Sequence, residues 1–436
     1  MPKLFIKTFG CQMNVYDSAR MRDTLAVQGF KETDEAGQAD IILVNTCHIR
    51  EKASEKLFSE LGRLARDKKK DALIVVAGCV VQANGVEILR RSKLIDIAVG
   101  PQNYHQLPEL IARYNRKKGR VIQADFPAES KFDFLPNPKT SAASAFLAVQ
   151  EGCDHFCSYC VVPYTRGCEY SRPLKDIVVE AKALVKAGAK EIMLLGQNVN
   201  GWHGDKGKDL GDVIREIAKI RGLKRIRYTT SYPSEMTQNL INAHKDTPKL
   251  MPYIHLPIQS GSDKVLKAMN RQYTVKEYEK IVAKFRKVRP DIAVSSDFIV
   301  GFPGETEEDF EETMKLVERV GYASSYSFKF SARPGTPASL MKNQIPEDVK
   351  TKRLMKLQAL LLKQQKAFNE ATVGKEFDVL LTEKGKERGQ LLGYSPYLQG
   401  TVVKAPQKML GEIVRVKITA ATATALKGTI INSKKS

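Results

Sequence analysis

The 436-residue sequence has no apolar run long enough to cross a bilayer. The longest runs, such as residues 41–44 and 73–77, fall far short of the ~20 residues that a membrane-spanning helix needs. The chain begins Met1-Pro2-Lys3 and runs into a strand-like segment, without the hydrophobic core of a secretion signal. We therefore expect a cytoplasmic protein. In that reducing setting, cysteines serve metal binding or catalysis before disulfides.

Acidic residues are scarce relative to basic ones, with 49 against 70 and a formal net charge of +21. A charge of this size attracts polyanions and disfavours acidic proteins or neutral small molecules as the only partners. The six histidines include no His-x3-His pair that would indicate a metal site. RNA is therefore the leading candidate partner.

Hydrophobic patterning predicts an α/β multidomain protein. Residues 1–125 alternate short apolar strands with amphipathic helices, which is typical of a small parallel α/β sheet. The proline-containing residues 126–140 are predicted to form a linker. Six βα units over residues 141–367 predict a partial or full (β/α) barrel of the TIM type. The glycine-broken β pattern of residues 368–432 predicts a small β-barrel.

The first cysteine group has the spacing Cys153-x3-Cys157-x2-Cys160 and follows a predicted strand. Three thiolates at this spacing can hold three irons of a [4Fe–4S] cluster and leave the fourth iron open to a ligand. An open iron indicates chemistry rather than a structural role. The alternative is a tetrahedral zinc site in which Cys168 or His155 is the fourth ligand.

The second group, Cys11, Cys47 and Cys79, is scattered along the sequence but shares one context. Each cysteine lies just beyond a predicted strand, namely residues 4–8, 41–45 or 73–77. An open α/β sheet gathers its ligand groups at the carboxyl ends of its strands, so three loops can converge on one cluster. The alternative is three unconnected buried cysteines, because cysteine also packs as a small hydrophobe.

Four parts of the sequence together resemble the radical-SAM methylthiotransferases, and the resemblance extends over essentially the whole chain. They are residues 10–18, the triad Cys153, Cys157 and Cys160, residues 165–173 and residues 255–262. The resemblance implies an N-terminal domain with an auxiliary [4Fe–4S] cluster, a central radical-SAM barrel and a C-terminal RNA-binding TRAM domain. It implies that Cys11, Cys47 and Cys79 are the auxiliary ligands.

Two segments, residues 10–14 and 393–399, resemble family members that modify tRNA. The implied reaction places a methylthio group on C2 of N6-(dimethylallyl)adenosine next to the anticodon. The C2–H bond is unactivated, so the cofactor must supply a radical. The implied cofactors are two [4Fe–4S] clusters and S-adenosylmethionine, which is both radical source and methyl donor.

The resemblance further implies that Gly196, Gln197 and Asn198, after the second barrel strand, contact S-adenosylmethionine. No catalytic residue is expected beyond the cluster ligands. An unidentified electron donor is required, no membrane is involved, and we expect a monomer. Cys168 departs from the family pattern and is interpreted as a bystander thiol. Farther along, Thr306 and Asp309 are predicted to cap a helix.

Two other functions remain open at this point. One is the same chemistry on a different tRNA adenosine or on a ribosomal protein. The other is an Fe–S RNA-binding protein without catalysis, which would keep the clusters and the basic charge but would not cleave S-adenosylmethionine.

Overall fold

The structure is a computed structural model that describes residues 1–48, 51–117, 119–139 and 142–431. The chain forms two compact units. The first unit comprises the described residues within 1–140, 151–154 and 161–170. The second unit comprises those within 141–150, 155–160 and 171–436. The domain limits expected from the sequence stay a prediction.

The first unit contains a six-stranded parallel sheet in the order β2-β1-β3-β4-β5-β6. Its strands are β1 Lys3–Thr8, β2 Lys31–Glu32, β3 Ile41–Asn45, β4 Leu73–Ala77, β5 Ile97–Val99 and β6 Val121–Gln123. The predicted parallel sheet is confirmed. β1, β3 and β4 are the strands predicted over residues 4–8, 41–45 and 73–77, whereas β2 and β6 at the two edges are too short to show a periodic pattern.

Helices cover both faces of this sheet, which explains why β3 and β4 are apolar along almost their whole length. The helices of the first unit are α1 Gln12–Val27, α2 Glu51–Asp67, α3 Cys79–Asn84, α4 Glu87–Arg91, α5 Leu107–Lys117 and α6 Val162–Arg166. Residues of α1 and α5 pack on one face. Residues of α2 and α4 pack on the other.

The segment predicted as a linker packs within the first unit. Residues 131–134 form a 3-10 turn, and the side chain of Lys131 is 1% exposed. Arg20 of α1 donates a hydrogen bond to the carbonyl of Pro136. The backbone N–H of Lys139 donates to Asp23 at 3.2 Å. These contacts bind the segment to α1, so it is part of the folded unit.

The second unit contains two three-stranded parallel sheets, in the orders β11-β10-β7 and β12-β13-β14. Between residues 144 and 329 the strands are β7 Ser144–Ala148, β8 Gln150–Glu151, β9 Tyr170–Ser171, β10 Glu191–Leu195, β11 Arg225–Tyr228, β12 Tyr253–His255, β13 Ala293–Val300 and β14 Ser324–Lys329. The six strands of the two sheets agree with the six βα units predicted over residues 141–367, and the partial barrel is confirmed.

Helices follow these strands in the order that a βα barrel requires. They are α7 Leu174–Lys186, α8 Leu210–Ala218, α9 Gln238–Asp246, α10 Asp263–Ala268, α11 Val275–Val288, α12 Glu307–Val320 and α13 Glu347–Glu370. Thr306 and Asp309 form the predicted capping box of α12, in which Thr306 Oγ1 accepts from the Asp309 N–H at 3.3 Å. Among the described residues, no helix is long and apolar enough to span a bilayer.

The C-terminal part of this unit is a closed five-stranded barrel in the order β15-β16-β17-β19-β18. Its strands are β15 Glu376–Lys384, β16 Gln390–Tyr394, β17 Gly400–Lys404, β18 Ile413–Ala421 and β19 Leu426–Ile430. Alternate residues such as Val379, Leu381 and Val416 fill the interior. The predicted small β-barrel is confirmed, and its closure leaves no sheet edge to pair with another chain.

Two buried arginines of β11 join the large barrel to the small one. Arg227 donates to Glu191 at 2.9 Å, to the Ser395 carbonyl at 2.8 Å and to the Pro396 carbonyl at 2.9 Å. Arg225 donates to the carbonyl of Tyr394 at 2.9 Å. Burial alone would raise the pKa of Glu191, but the two arginines outweigh it and lower that pKa. Residues 393–399 therefore act as a docking segment.

We expect Arg227→Met to lower the free energy of unfolding by about 3–5 kcal/mol, because it leaves Glu191 charged, buried and short of its closest partner. Urea denaturation followed by circular dichroism measures the change. The double variant Arg227→Met with Glu191→Gln is the control, since it removes the unpaired charge and should recover part of the loss. A cost below about 1 kcal/mol for Arg227→Met would contradict this prediction.

Candidate functional site

The structure brings Cys11, Cys47 and Cys79 to the same edge of the six-stranded sheet. They follow β1, β3 and β4, which are three neighbouring parallel strands. Cys11 precedes α1 as its N-cap, and Cys79 is the first residue of α3. Cys47 and Cys79 are buried, whereas Cys11 is exposed. The carboxyl ends of the strands thus carry the thiols, as the sequence indicates.

Two glycines permit this close approach of the cysteine loops. Gly10 and Gly78 have φ angles of 122° and 98°, a region that favours glycine. A Cβ atom on Gly10 would lie 2.5 Å from Cys47 Cβ, and one on Gly78 would lie 2.4 Å from Asn45 Oδ1. Any larger residue at either position would push the loops apart.

A buried amide network fixes the loop of Cys11. The Cys11 thiol donates to Asn14 Oδ1 at 3.2 Å, and Asn14 Nδ2 donates to Asn45 Oδ1 at 3.2 Å. Asn45 Nδ2 in turn donates to the Asn14 carbonyl at 2.8 Å and to Ser18 Oγ at 3.0 Å. Asn14 and Asn45 are fully buried. The network ties the start of α1 to the end of β3.

The thiols differ in how readily they ionise. A hydrogen bond with Cys47 lowers the pKa of Cys11 to about 6, and the charge of Arg166 contributes. Burial raises the pKa of Cys79, and Arg166 offsets part of that rise. A thiol binds iron as the thiolate, so a nearby arginine favours the binding form.

Arg166 belongs to a buried ionic network that sequence reasoning missed. Its Nε donates to Cys79 Sγ at 3.3 Å, its Nη2 to Asp17 at 2.7 Å and its Nη1 to Glu151 at 2.6 Å. Lys131 also pairs with Glu151 at 2.7 Å. Asp17 and Arg166 lie in two of the family-like segments, which is a signal that could have been used. Lys131 carried no such signal.

The other cysteine group has members in both units. Cys157 and Cys160 lie in the second unit, where the Cys160 N–H donates to the Cys157 carbonyl at 2.9 Å. The buried guanidinium of Arg271 lies 3.7 Å from Cys157 Sγ and stacks on the ring of Tyr232 at 4.7 Å. Cys153 lies in the first unit, where its N–H donates to the Gly167 carbonyl at 3.3 Å.

The two residues considered as fourth zinc ligands have other surroundings. His155 stacks on Tyr232 with ring centroids 3.6 Å apart, and its Nε2 lies 3.0 Å from Glu235. Cys168 is exposed in the first unit. Within the described part of the chain, no three His, Cys, Asp or Glu side chains are grouped as they would be around a single metal ion. A four-iron cluster spaces its ligands more widely, because each thiolate binds a different iron.

The loop after β10 holds the predicted S-adenosylmethionine contacts Gly196, Gln197 and Asn198. A Cβ on Gly196 would lie 2.5 Å from Gln150 Oε1, which explains the glycine. The Asn198 N–H donates to that same oxygen at 3.0 Å, and its side chain donates to Glu235 at 2.6 Å. Gly196 and Asn198 are thus bound into the barrel framework, and Gln197 is partly exposed.

One face of the β12-β13-β14 sheet presents exposed aromatic rings. Lys329 of β14 donates to Glu347 and Thr351 of α13, so its side chain lies on the face of the sheet that α13 covers. Because side chains alternate along a strand, residues 326 and 328 lie on the other face. On that opposite face Tyr326 is 58% exposed and Phe328 is 38% exposed. Tyr326 pairs across the strands with Asp297. Such rings offer stacking surfaces to a flat ligand.

Comparison with known proteins identifies the family. Residues 3–100 match a family model described as uncharacterized protein family UPF0004, residues 147–317 match the radical SAM superfamily, and residues 370–431 match the TRAM domain. The chain is 56% identical to the tRNA-2-methylthio-N(6)-dimethylallyladenosine synthase of Wolbachia pipientis wMel, over 98% of this chain and 99% of that protein. The chain belongs to the tRNA-2-methylthio-N(6)-dimethylallyladenosine synthase family. The synthase of Zymomonas mobilis is 54% identical over 99% of this chain and 97% of its own length.

Solved structures with low sequence identity share the fold of this synthase family member. The radical S-adenosylmethionine methyltransferase TsrM of Kitasatospora setae aligns with a TM-score of 0.59 and 15% identity, over 78% of this chain and 77% of TsrM. The cobalamin-dependent radical enzyme OxsB aligns with a TM-score of 0.53 and 12% identity, over 83% of this chain and 56% of OxsB.

Membership of the radical-SAM superfamily implies one [4Fe–4S] cluster and S-adenosylmethionine for this synthase family member. The side chains of both cysteine groups have the chemistry that such a cluster requires. The donors are thiols, and a buried arginine donates to one thiol of each group, to Cys79 from Arg166 and to Cys157 from Arg271. A positive charge beside the sulfur compensates the negative charge that thiolate ligands bring.

Proposed function

We propose that this chain transfers a methylthio group to C2 of N6-(dimethylallyl)adenosine in tRNA, next to the anticodon. The observation that carries the proposal is 56% identity, over nearly the full length of both chains, to synthases named for that nucleoside. The radical-SAM and TRAM matches and the net charge of +21 agree with it. The alternative without catalysis would not account for the radical-SAM match.

Both cysteine groups are proposed to hold [4Fe–4S] clusters. Cys153, Cys157 and Cys160 would hold the radical-SAM cluster, and Cys11, Cys47 and Cys79 the auxiliary one. Support for the second cluster comes from the three neighbouring strand ends that carry its cysteines, from Gly10 and Gly78, and from the arginine beside Cys79. Cys168 has no assigned role.

When bound, these cofactors supply the one-electron chemistry that an unactivated C2–H bond requires. The chain supplies the rest. Gly196, Gln197 and Asn198 are proposed to contact S-adenosylmethionine from the end of β10, and Gln150 and Glu235 hold that loop in place. We further propose a cytoplasmic monomer that receives electrons from a separate donor.

The exposed rings of Tyr326 and Phe328 are the proposed stacking surface for the substrate base. Single-stranded RNA is recognised largely through unstacked bases that stack on aromatic side chains. Beside Tyr326, the ring of His255 lies 6.2 Å away edge-on, and His255 Nδ1 lies 3.1 Å from Ser295 Oγ. The imidazole is therefore fixed in orientation, and Asp297 at 3.5 Å adds a hydrogen-bond acceptor.

The small barrel is proposed to bind the tRNA backbone through its outer face. Lys404, Lys427 and Lys417 are exposed on β17, β19 and β18, three neighbouring strands. Changing all three to glutamine should weaken tRNA binding and reduce the slope of log affinity against log salt by about 2, since each lost phosphate contact removes about 0.7. Filter binding at several salt concentrations measures this slope.

Arg415→Gln is the matched control, because Arg415 is exposed on the same face but is paired with Glu376 at 3.4 Å and Asp378 at 3.3 Å. Its loss should change the slope by less than about half a unit. An unchanged slope in the triple lysine variant would move the RNA-binding surface away from these three strands.

Mass spectrometry of tRNA nucleosides tests the function itself. We expect a strain that lacks this chain to accumulate N6-(dimethylallyl)adenosine and to lose its 2-methylthio derivative, and we expect the intact chain to restore it. Loss of a methylthio group from a ribosomal protein, with unchanged tRNA nucleosides, would favour the protein-modifying alternative. Unchanged nucleosides and proteins together would contradict catalysis.

A further inference from the structure

The N-terminal cysteine site lies against a buried charge cluster. It consists of the side chains of Asp17, Lys131, Glu151 and Arg166, each at most 3% exposed. Burying four ionised groups costs more free energy than packing apolar side chains of the same volume would. Cohesion alone is therefore a weak reason for such a cluster, and its contact with a reactive group, the thiol of Cys79, is informative.

That contact is made by Arg166. The carboxylates of Asp17 and Glu151 accept from its two terminal nitrogens at 2.7 and 2.6 Å. These two bonds fix the plane of the guanidinium, which carries its donors in a rigid fork. The remaining Nε–H is then aimed at Cys79 Sγ, 3.3 Å away.

The four charged side chains of the cluster also pair with one another. Lys131 pairs with Glu151 at 2.7 Å and lies 3.6 Å from Asp17. Each of the two carboxylates therefore contacts both Lys131 and Arg166. The formal charges of the cluster balance without any contribution from Cys79. Arg166 acts on the sulfur through both its charge and its hydrogen bond, and the hydrogen bond is the part that a differently placed cation would not reproduce.

We propose that Arg166 is a positioning residue of the N-terminal site, where its Nε–H holds the Cys79 sulfur and raises the reduction potential of the cluster bound there. The inference rests on the proposed role of Cys11, Cys47 and Cys79. A donor to a ligand sulfur favours the reduced, more negative state of an iron–sulfur cluster, so hydrogen bonds to sulfur set its potential.

The test uses the full chain with Cys153, Cys157 and Cys160 changed to alanine, so that only the N-terminal site can bind a cluster. After anaerobic reconstitution, the reduction potential is measured by a redox titration followed by electron paramagnetic resonance. Arg166→Lys keeps one positive charge, but a single ammonium drawn to two carboxylates loses the fixed donor to sulfur. We expect a tenfold shift toward the oxidised form, which is 59 mV for one electron.

Arg353→Lys in the same background is the matched control. Arg353 is a buried arginine that donates to Glu305 at 2.8 Å and Glu307 at 3.2 Å in the second unit. Its substitution should leave the potential unchanged. A full iron content with an unchanged potential in Arg166→Lys would overturn the inference.

A second variant covers the case in which Arg166→Lys does not load iron. Asp17→Asn with Arg166→Gln removes one ion pair as a unit, so the remaining charges stay balanced, and its potential should fall in the same way. Loss of iron in both variants with an unchanged circular dichroism spectrum and melting temperature supports the inference, because Cys79 is then misplaced in a folded chain. Loss of iron together with the fold overturns it, since Arg166 would be structural only. A parent chain that binds no iron would instead overturn the proposed auxiliary cluster, and this inference with it.

Discussion

Changing Cys153, Cys157 and Cys160 together to alanine should abolish reductive cleavage of S-adenosylmethionine and halve the iron content. The expected change is from about eight irons per chain to about four, because one of two four-iron clusters is lost. Cleavage should fall to background, since the cluster held by these three cysteines is the one proposed to bind the cofactor and supply the electron. Iron and sulfide analysis after anaerobic reconstitution, with chromatography of 5′-deoxyadenosine, measures both effects.

Cys168→Ala is the control for this experiment. It removes a cysteine that is exposed and that lies eight positions beyond Cys160. Iron, sulfide and cleavage should all stay at the level of the unchanged chain. One zinc per chain with no sulfide in the reconstituted protein would contradict the cluster and favour the tetrahedral zinc alternative.

The elements that sequence predicted are those with a strong local pattern. β3 has four consecutive apolar residues before Asn45, β4 has five apolar residues, and the capping box at Thr306 is a local motif. The missed strands β2 and β6 have two and three residues, which is too few for any periodicity. The linker prediction for residues 126–140 depends on prolines, which also occur in packed, irregular segments such as the one around Pro136.

Local sequence patterns likewise predict one part of the candidate site and not another. The positions of Cys11, Cys47 and Cys79 at one sheet edge follow from strand order, because carboxyl ends of parallel strands share an edge. The arginine beside Cys79 does not follow, since Arg166 and its partner Asp17 are 149 positions apart. No local pattern pairs residues at that distance, and only the fold brings them together.

Changing Cys11, Cys47 or Cys79 to alanine should eliminate the methylthio product while 5′-deoxyadenosine formation stays measurable. Radical generation needs only the open iron of the central cluster, whereas insertion of sulfur needs a second site. Each cysteine lies beyond the end of its strand, so the apolar residues that hold the six-stranded sheet together are unchanged. The assay counts both products from one reduced, anaerobic reaction on isopentenylated tRNA.

The different burial of Cys11 and Cys79 distinguishes a ligand role from a packing role. Cys11 is exposed and its alanine variant removes little packing, whereas Cys79 is buried and also loses the contact with Arg166. If the three cysteines act as ligands, both variants should lose the product to the same extent despite this difference in burial. If they act only in packing, the loss should follow burial, and Cys11→Ala should be nearly as active as the unchanged chain. Full methylthiolation by a variant without all three would establish them as unconnected packing residues, because no auxiliary cluster could then be held by this sheet edge.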